Sequence, residues 1–243
     1  MRNDAAGVAG GEPLTASIAA PSATAIDPRR RPELRRRVVK IALFLLCCVP
    51  FGLLLAGAAG LWSVDLGANP VETLIEQTGI WTLRLLLITL LVTPAAHVLR
   101  RLELPRLRRM LGLFAFSYAL AHFLCYAVVD QGLALSFILE DVVERPFITV
   151  GFTALLLLLP LAATSNRASM RRLGRHWKSL HGLVYPITLL GCWHFYWQVK
   201  ADIREPLVYF TVWLLLMIVR LPQIRHMRFR TPGARQTSTQ PGT

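Results

Sequence analysis

The chain has 243 residues, 54% of them hydrophobic, a mean hydropathy of +0.47 and a formal net charge of +13. A soluble domain of this length is rarely so apolar, and the long apolar runs mark a polytopic membrane protein. The basic residues cluster beside those runs, so the charge reads as membrane topology, and no nucleic-acid partner is expected.

Residues 1–37 are rich in Ala, Gly, Pro and Ser and end in the basic run RRRPELRRR. Their apolar content is too low to fold alone, so they are expected to be a disordered basic extension. LAGAAG around Ala56 looks like a signal-peptide cleavage site, but the polar region before it is too long and the apolar stretch continues to Trp62. The expectation is an uncleaved first helix. Six spans follow, at about 41–62, 79–99, 111–129, 147–164, 179–198 and 206–221, each near the ~20 residues that cross hydrocarbon. The expected fold class is all-α, a helical membrane bundle over 38–222, followed by a disordered cytoplasmic tail over 223–243.

Flanking charge alternates. Basic clusters precede span one, separate spans two and three (RRLELPRLRR, 100–109) and four and five (RRLGRHWK, 171–178), and follow span six at Arg220, Arg225, Arg228 and Arg230. The opposite loops carry Asp65, Glu72 and Glu76, then Asp130, Glu140, Asp141 and Glu144, then Asp202 and Glu205. The positive-inside rule then places both termini in the cytoplasm. Trp62, Trp81 and Trp197 fall at outer ends and Trp177 at an inner end, as interfacial aromatics do. Cys47, Cys48, Cys125 and Cys192 all lie within apolar spans without metal-ligand spacing and read as packing residues.

Three histidines, His122, His181 and His194, sit inside these spans. An ionisable group in a bilayer is costly and faces the bundle interior, and imidazole is a common axial ligand of heme iron. At ~1.5 Å per residue from the cytoplasmic ends, His122 and His194 differ in depth by about 5 Å, and His122 and His181 by about 15 Å. His122 therefore pairs with His194 on an outer heme. His181 lies near the inner face at the depth of His97, so a second heme between these two is geometrically allowed. The same span carries His181 and His194, with Pro186 between them as a source of a kink. The plain alternative for each histidine is a hydrogen bond between helices, and for His97 interfacial exposure. Arg84, one turn inside span two, either snorkels to the interface or meets a heme propionate. The basic inner loop (Arg171, Arg172, Arg175, Lys178) sets topology or meets inner-side heme propionates, a flavin phosphate or anionic lipid. His176 and His226 are solvated.

There is no GxGxxG after a strand, no P-loop and no CxxCH. An electron donor and a final acceptor would both lie outside the chain. Two readings compete with a cytochrome that passes electrons to a partner protein: a reductase-like cytochrome with another acceptor, and a non-redox transporter or assembly protein whose histidines are structural.

Several blocks, in order, carry a family resemblance: LGANPVETLIEQTG (66–79), TLLVTPAAH (89–97), RRMLGLFAFSYALAHFLCY (108–126), RPFITVG (145–151), RRLGRHWKSLHGLVY (171–185) and HFYWQVK (194–200). From about residue 40 to 222 the chain resembles the heme-binding membrane subunits of periplasmic protein-methionine-sulfoxide reductase systems (the MsrQ/YedZ family), within the ferric-reductase-like transmembrane superfamily. The resemblance implies a multi-pass b-type cytochrome of the bacterial inner membrane with one or two hemes b. It implies heme ligation by His122, His181 and His194. It further implies electron transfer from quinone to a periplasmic molybdopterin-containing catalytic subunit that repairs oxidised periplasmic proteins. Family members are also described as FMN proteins.

Overall fold

A computed structural model describes residues 30–61, 65–100, 104–199 and 202–228, with side chains described from 33 to 220 within those stretches. Trp62, residues 1–29 of the extension, residues 229–243 of the tail, and the side chains of Arg225 and Arg228 lie outside the described residues. Contacts divide the chain into Met1–Ile41 and Ala42–Thr243. Of the first unit only residues 30–41 are described, and they are helical, including most of the basic run.

Among the described residues every regular element is a helix. They are α1 (Arg30–Ala58), α2 (Pro70–Val98), α3 (Arg108–Leu124), α4 (Leu135–Glu144), α5 (Pro146–Ala163), α6 (Arg167–Leu173), α7 (Arg175–His181), α8 (Val184–Gln198) and α9 (Arg204–Arg228). A 3-10 turn, Leu104–Leu107, leads into α3, and α3 runs on into a π-helical segment, Cys125–Asp130. Among the described residues four stretches are long and apolar enough to cross a membrane: Glu33–Ala58, Pro70–Val98, Leu104–Asp130 and Pro146–Ala163. The 15 residues of α8 reach only about 22 Å, short of the ~30 Å hydrocarbon core.

One expectation is corrected. His181 and His194 do not share a helix: α7 ends at His181 and α8 begins at Val184. Pro186 falls in the first turn of α8, where its missing N–H costs no helical bond, so it opens a helix instead of kinking one. The loop expected between spans three and four also holds a helix, α4, which leaves Leu135, Phe137, Leu139 and Val143 exposed.

The bundle is centred on α2, which packs against α3, α8 and α9, while α5 packs against α3, α4 and α8. Leu90, Ala115, Thr188 and Cys192 are fully buried at the centre. Asn69 caps α2 by accepting from the Glu72 amide, with Pro70 at the first helical position.

Two polar side chains repair interrupted helices, as a medium without water demands. Tyr118 Oη accepts from the Phe51 amide at 2.9 Å and donates to the Cys47 carbonyl at 2.8 Å, inserting itself into the ladder of α1 beside Pro50. Within α2, Pro94 lacks the N–H that would bond the Leu90 carbonyl. Arg220 of α9, only 3% exposed, donates to that carbonyl and to the Tyr185 hydroxyl. Its guanidinium also lies 5.3 Å from the Tyr185 ring centre. Arg220→Leu is expected to destabilise the detergent-solubilised protein by about 1–3 kcal/mol, seen as a lowered melting temperature. Adding Pro94→Ala restores part of the loss by giving the Leu90 carbonyl an N–H. Equal melting of the single and double variants would remove this account.

Candidate functional site

A cavity of about 570 Å³ opens at the end of the bundle where α2 and α5 begin and α3 and α8 end. That volume suits a sizeable small molecule or cofactor. Its walls are apolar, with Leu83, Leu86, Leu155, Leu158 and Ile187 at depth and Phe123 and Phe152 with ring centres 5.7 Å apart. Glu72, Glu76, Asp130, Arg145 and Gln198 supply its polar groups.

His122 from α3 and His194 from α8 enter this cavity from opposite walls. His122 Nδ1 lies 2.8 Å from the Ile75 carbonyl of α2, and His194 Nδ1 lies 2.7 Å from the Phe147 carbonyl of α5. A carbonyl only accepts, so each Nδ1 carries the proton and donates it. Each Nε2 is then left with a lone pair free to bind a metal, the tautomer that histidine ligands use. The ring centres are 6.1 Å apart and the planes stand at 83°.

That spacing tests whether the residues fit a heme. An iron with an imidazole nitrogen at about 2 Å on either side, plus about 1 Å from nitrogen to ring centre, needs ring centres about 6 Å apart. The pair fits. Among the described residues no group of three or more His, Cys, Asp or Glu side chains could hold a bare metal ion.

The other expected site residues lie elsewhere. His181 stacks on Trp177 with ring centres 3.9 Å apart, its Nδ1 is 3.2 Å from the Trp177 carbonyl, and its Nε2 is 3.4 Å from Ser165 Oγ. His97 is exposed and its Nδ1 bonds the Thr93 carbonyl of its own helix at 3.0 Å. Among the described residues no hydrogen bond or ring contact joins His97 to His181. Arg84 does not line the cavity: its Nε donates to Tyr209 Oη at 2.9 Å, and its guanidinium lies 5.1 Å from the Trp81 ring centre.

Among the described lining residues Arg145 is the Lys or Arg side chain, and the sequence alone assigned it no role. Its Nε donates to Asp141 at 3.0 Å, and Tyr126 Oη donates to the other Asp141 oxygen at 2.7 Å. The π-helical turn carries Tyr126 and so brings α3 to the cavity mouth.

The family model described as "Ferric reductase like transmembrane component" matches residues 78–192. A protein-methionine-sulfoxide reductase heme-binding subunit MsrQ from Xanthomonas campestris pv. campestris is 48% identical over 178 residues, covering 73% of this chain and 81% of the relative. The chain belongs to the MsrQ family. A Brucella ovis MsrQ is 49% identical over 179 residues, covering 74% of this chain and 79% of its own length. The Xanthomonas axonopodis pv. citri MsrQ is 46% identical over 178 residues, with 73% and 81% covered. No solved structure matches the chain. Membership of a transmembrane family and four apolar helices of spanning length make this a membrane protein.

Asp141 ties α4 to the mouth through Tyr126 and Arg145. Asp141→Ala is expected to speed hydrogen–deuterium exchange across residues 135–144 several-fold, whereas Ala at the exposed Glu140 leaves it unchanged. Identical exchange in the two variants would show that these bonds do not hold α4.

Proposed function

We propose that this protein is the heme-binding membrane subunit of a methionine-sulfoxide reductase system, with one heme b held between His122 and His194. The observation that carries the reading is the opposed imidazole pair, 6.1 Å between centres, with both Nδ1 protons committed to carbonyls. Kinship with proteins named as heme-binding subunits supports it. Heme held there by His122 and His194 would supply a one-electron ferric/ferrous couple for electron transfer.

The chain's own residues do the rest. The carbonyls of Ile75 and Phe147 hold the ring protons and so aim each Nε2. The leucines and Phe123 and Phe152 exclude water. Arg145, at the polar mouth, is the side chain placed to meet an anionic edge of the ligand, a role that Arg84, which does not line the cavity, does not fill. The reading places no heme on His181 and His97, and it assigns no residue to FMN.

The topology we propose has six spans with both termini cytoplasmic in a bacterial inner membrane. In that orientation the cavity end, with its acidic loops, faces the periplasm. Electrons would come from the quinone pool and leave at the cavity end to a periplasmic molybdopterin-containing catalytic subunit. The support is charge placement and kinship with subunits named for that reductase.

Purified protein is expected to hold about one heme per chain. His122→Ala and His194→Ala each remove the same low-spin absorption component, and His181→Ala spares it. Loss of that component from His181→Ala with retention in His194→Ala would overturn the assignment. Arg145→Gln is expected to speed heme loss to an acceptor apoprotein several-fold while Arg84→Gln does not; the reverse order would return the ligand's anionic edge to Arg84.

A further inference from the structure

Two glycines explain how the imidazoles reach the carbonyls at all. In an α-helix each Cα–Cβ bond tilts toward the N-terminus, so the side chain four residues on covers the carbonyl of residue i. Four residues beyond Ile75 stands Gly79, and four beyond Phe147 stands Gly151. With no Cβ there, the carbonyl is open and the ring lies against the bare helix backbone. A Cβ built on Gly79 would sit 3.0 Å from His122 Nδ1 and 3.1 Å from Cε1. One built on Gly151 would sit 2.8 Å from both His194 Nδ1 and Cε1, closer than real Cβ contacts come.

The two halves are the same device. Carbonyl and histidine are 47 residues apart in both, and a shift of 72 residues carries Ile75, Gly79 and His122 onto Phe147, Gly151 and His194. The same shift carries Phe123 onto Phe195, and both line the cavity. The matched clamps, one on α2 and α3 and the other on α5 and α8, hold ring planes that stand 83° apart.

We propose that Gly79 and Gly151 are positioning residues that set the rotation of His122 and His194, so that the site takes an iron porphyrin with near-perpendicular axial imidazole planes. The inference rests on the reading that these two histidines share one iron. It adds what that reading leaves open: the relative orientation of the ligand planes and the residues that impose it.

Electron paramagnetic resonance of the oxidised, heme-loaded full chain reads the orientation directly. Perpendicular imidazole planes give a strongly anisotropic low-spin signal with a raised largest g value, and parallel planes give an ordinary rhombic one. The wild type is expected to show the anisotropic signal, and a rhombic signal from it would overturn the proposal without any variant. Gly79→Ala and Gly151→Ala are each expected to shift the largest g value, Gly151→Ala by more, in step with its closer contacts. Gly112→Ala, on the helix of His122 with nothing within 4 Å of the added carbon, is expected to leave the signal unchanged. Wild-type signals from both clamp variants would overturn the proposal. The two ideas fail differently: if His122→Ala and His194→Ala keep the low-spin iron, the ligand assignment falls. If they lose it while the glycine variants match the wild type, only the clamp falls.

Discussion

An imidazole can offer a lone pair to a metal from one nitrogen only while its other nitrogen holds the proton. In an apolar bundle that proton needs an acceptor, since a buried unpaired N–H is costly. The bonds from His122 Nδ1 to the Ile75 carbonyl and from His194 Nδ1 to the Phe147 carbonyl meet that need. Much else in the structure follows from them. They set the register of α2 against α3 and of α5 against α8, because a one-residue slip turns a helix face by ~100° and takes the carbonyl out of reach. They also explain why glycines stand where any side chain would cover the acceptor.

The same rule, that polar groups away from water must find partners inside the protein, shapes the rest of the bundle. Arg220 bonds the carbonyl that Pro94 leaves without an N–H, and Tyr118 fills the interruption in α1. Both tie a peripheral helix to the central pair of α2 and α3. Of the helices repaired in this way α2 also bounds the cavity, so the wall that carries the Ile75 carbonyl belongs to a helix whose interruption is bonded.

Part of this was legible in the residues alone. Apolar runs and alternating charge marked a helical membrane chain, and helix rise put His122 and His194 at similar depth. The rise could not reveal the helix interruption at Gly182 and Leu183, because a proline in an apolar run reads equally as a kink or as the opening of a new helix. Arg84 drew notice as an intramembrane charge, yet its guanidinium is taken by Tyr209, 125 residues away. Arg145 drew no notice in the residues, because its nearness to the cavity depends on how α4 and α5 meet. The glycines carried a readable signal, the repeated spacing to a His-Phe pair, but spacing acquires meaning only once the helices are known to face each other.

The residues by themselves determined the helical class, the membrane setting and which histidines could be buried, because these depend on composition and on period along the chain. Only the tertiary structure decided which nitrogen of each histidine is free, how the rings are turned and which cation stands at the mouth. Those depend on contacts between residues 47 apart on separate helices, and rise per residue places a side chain in depth without saying which way it faces.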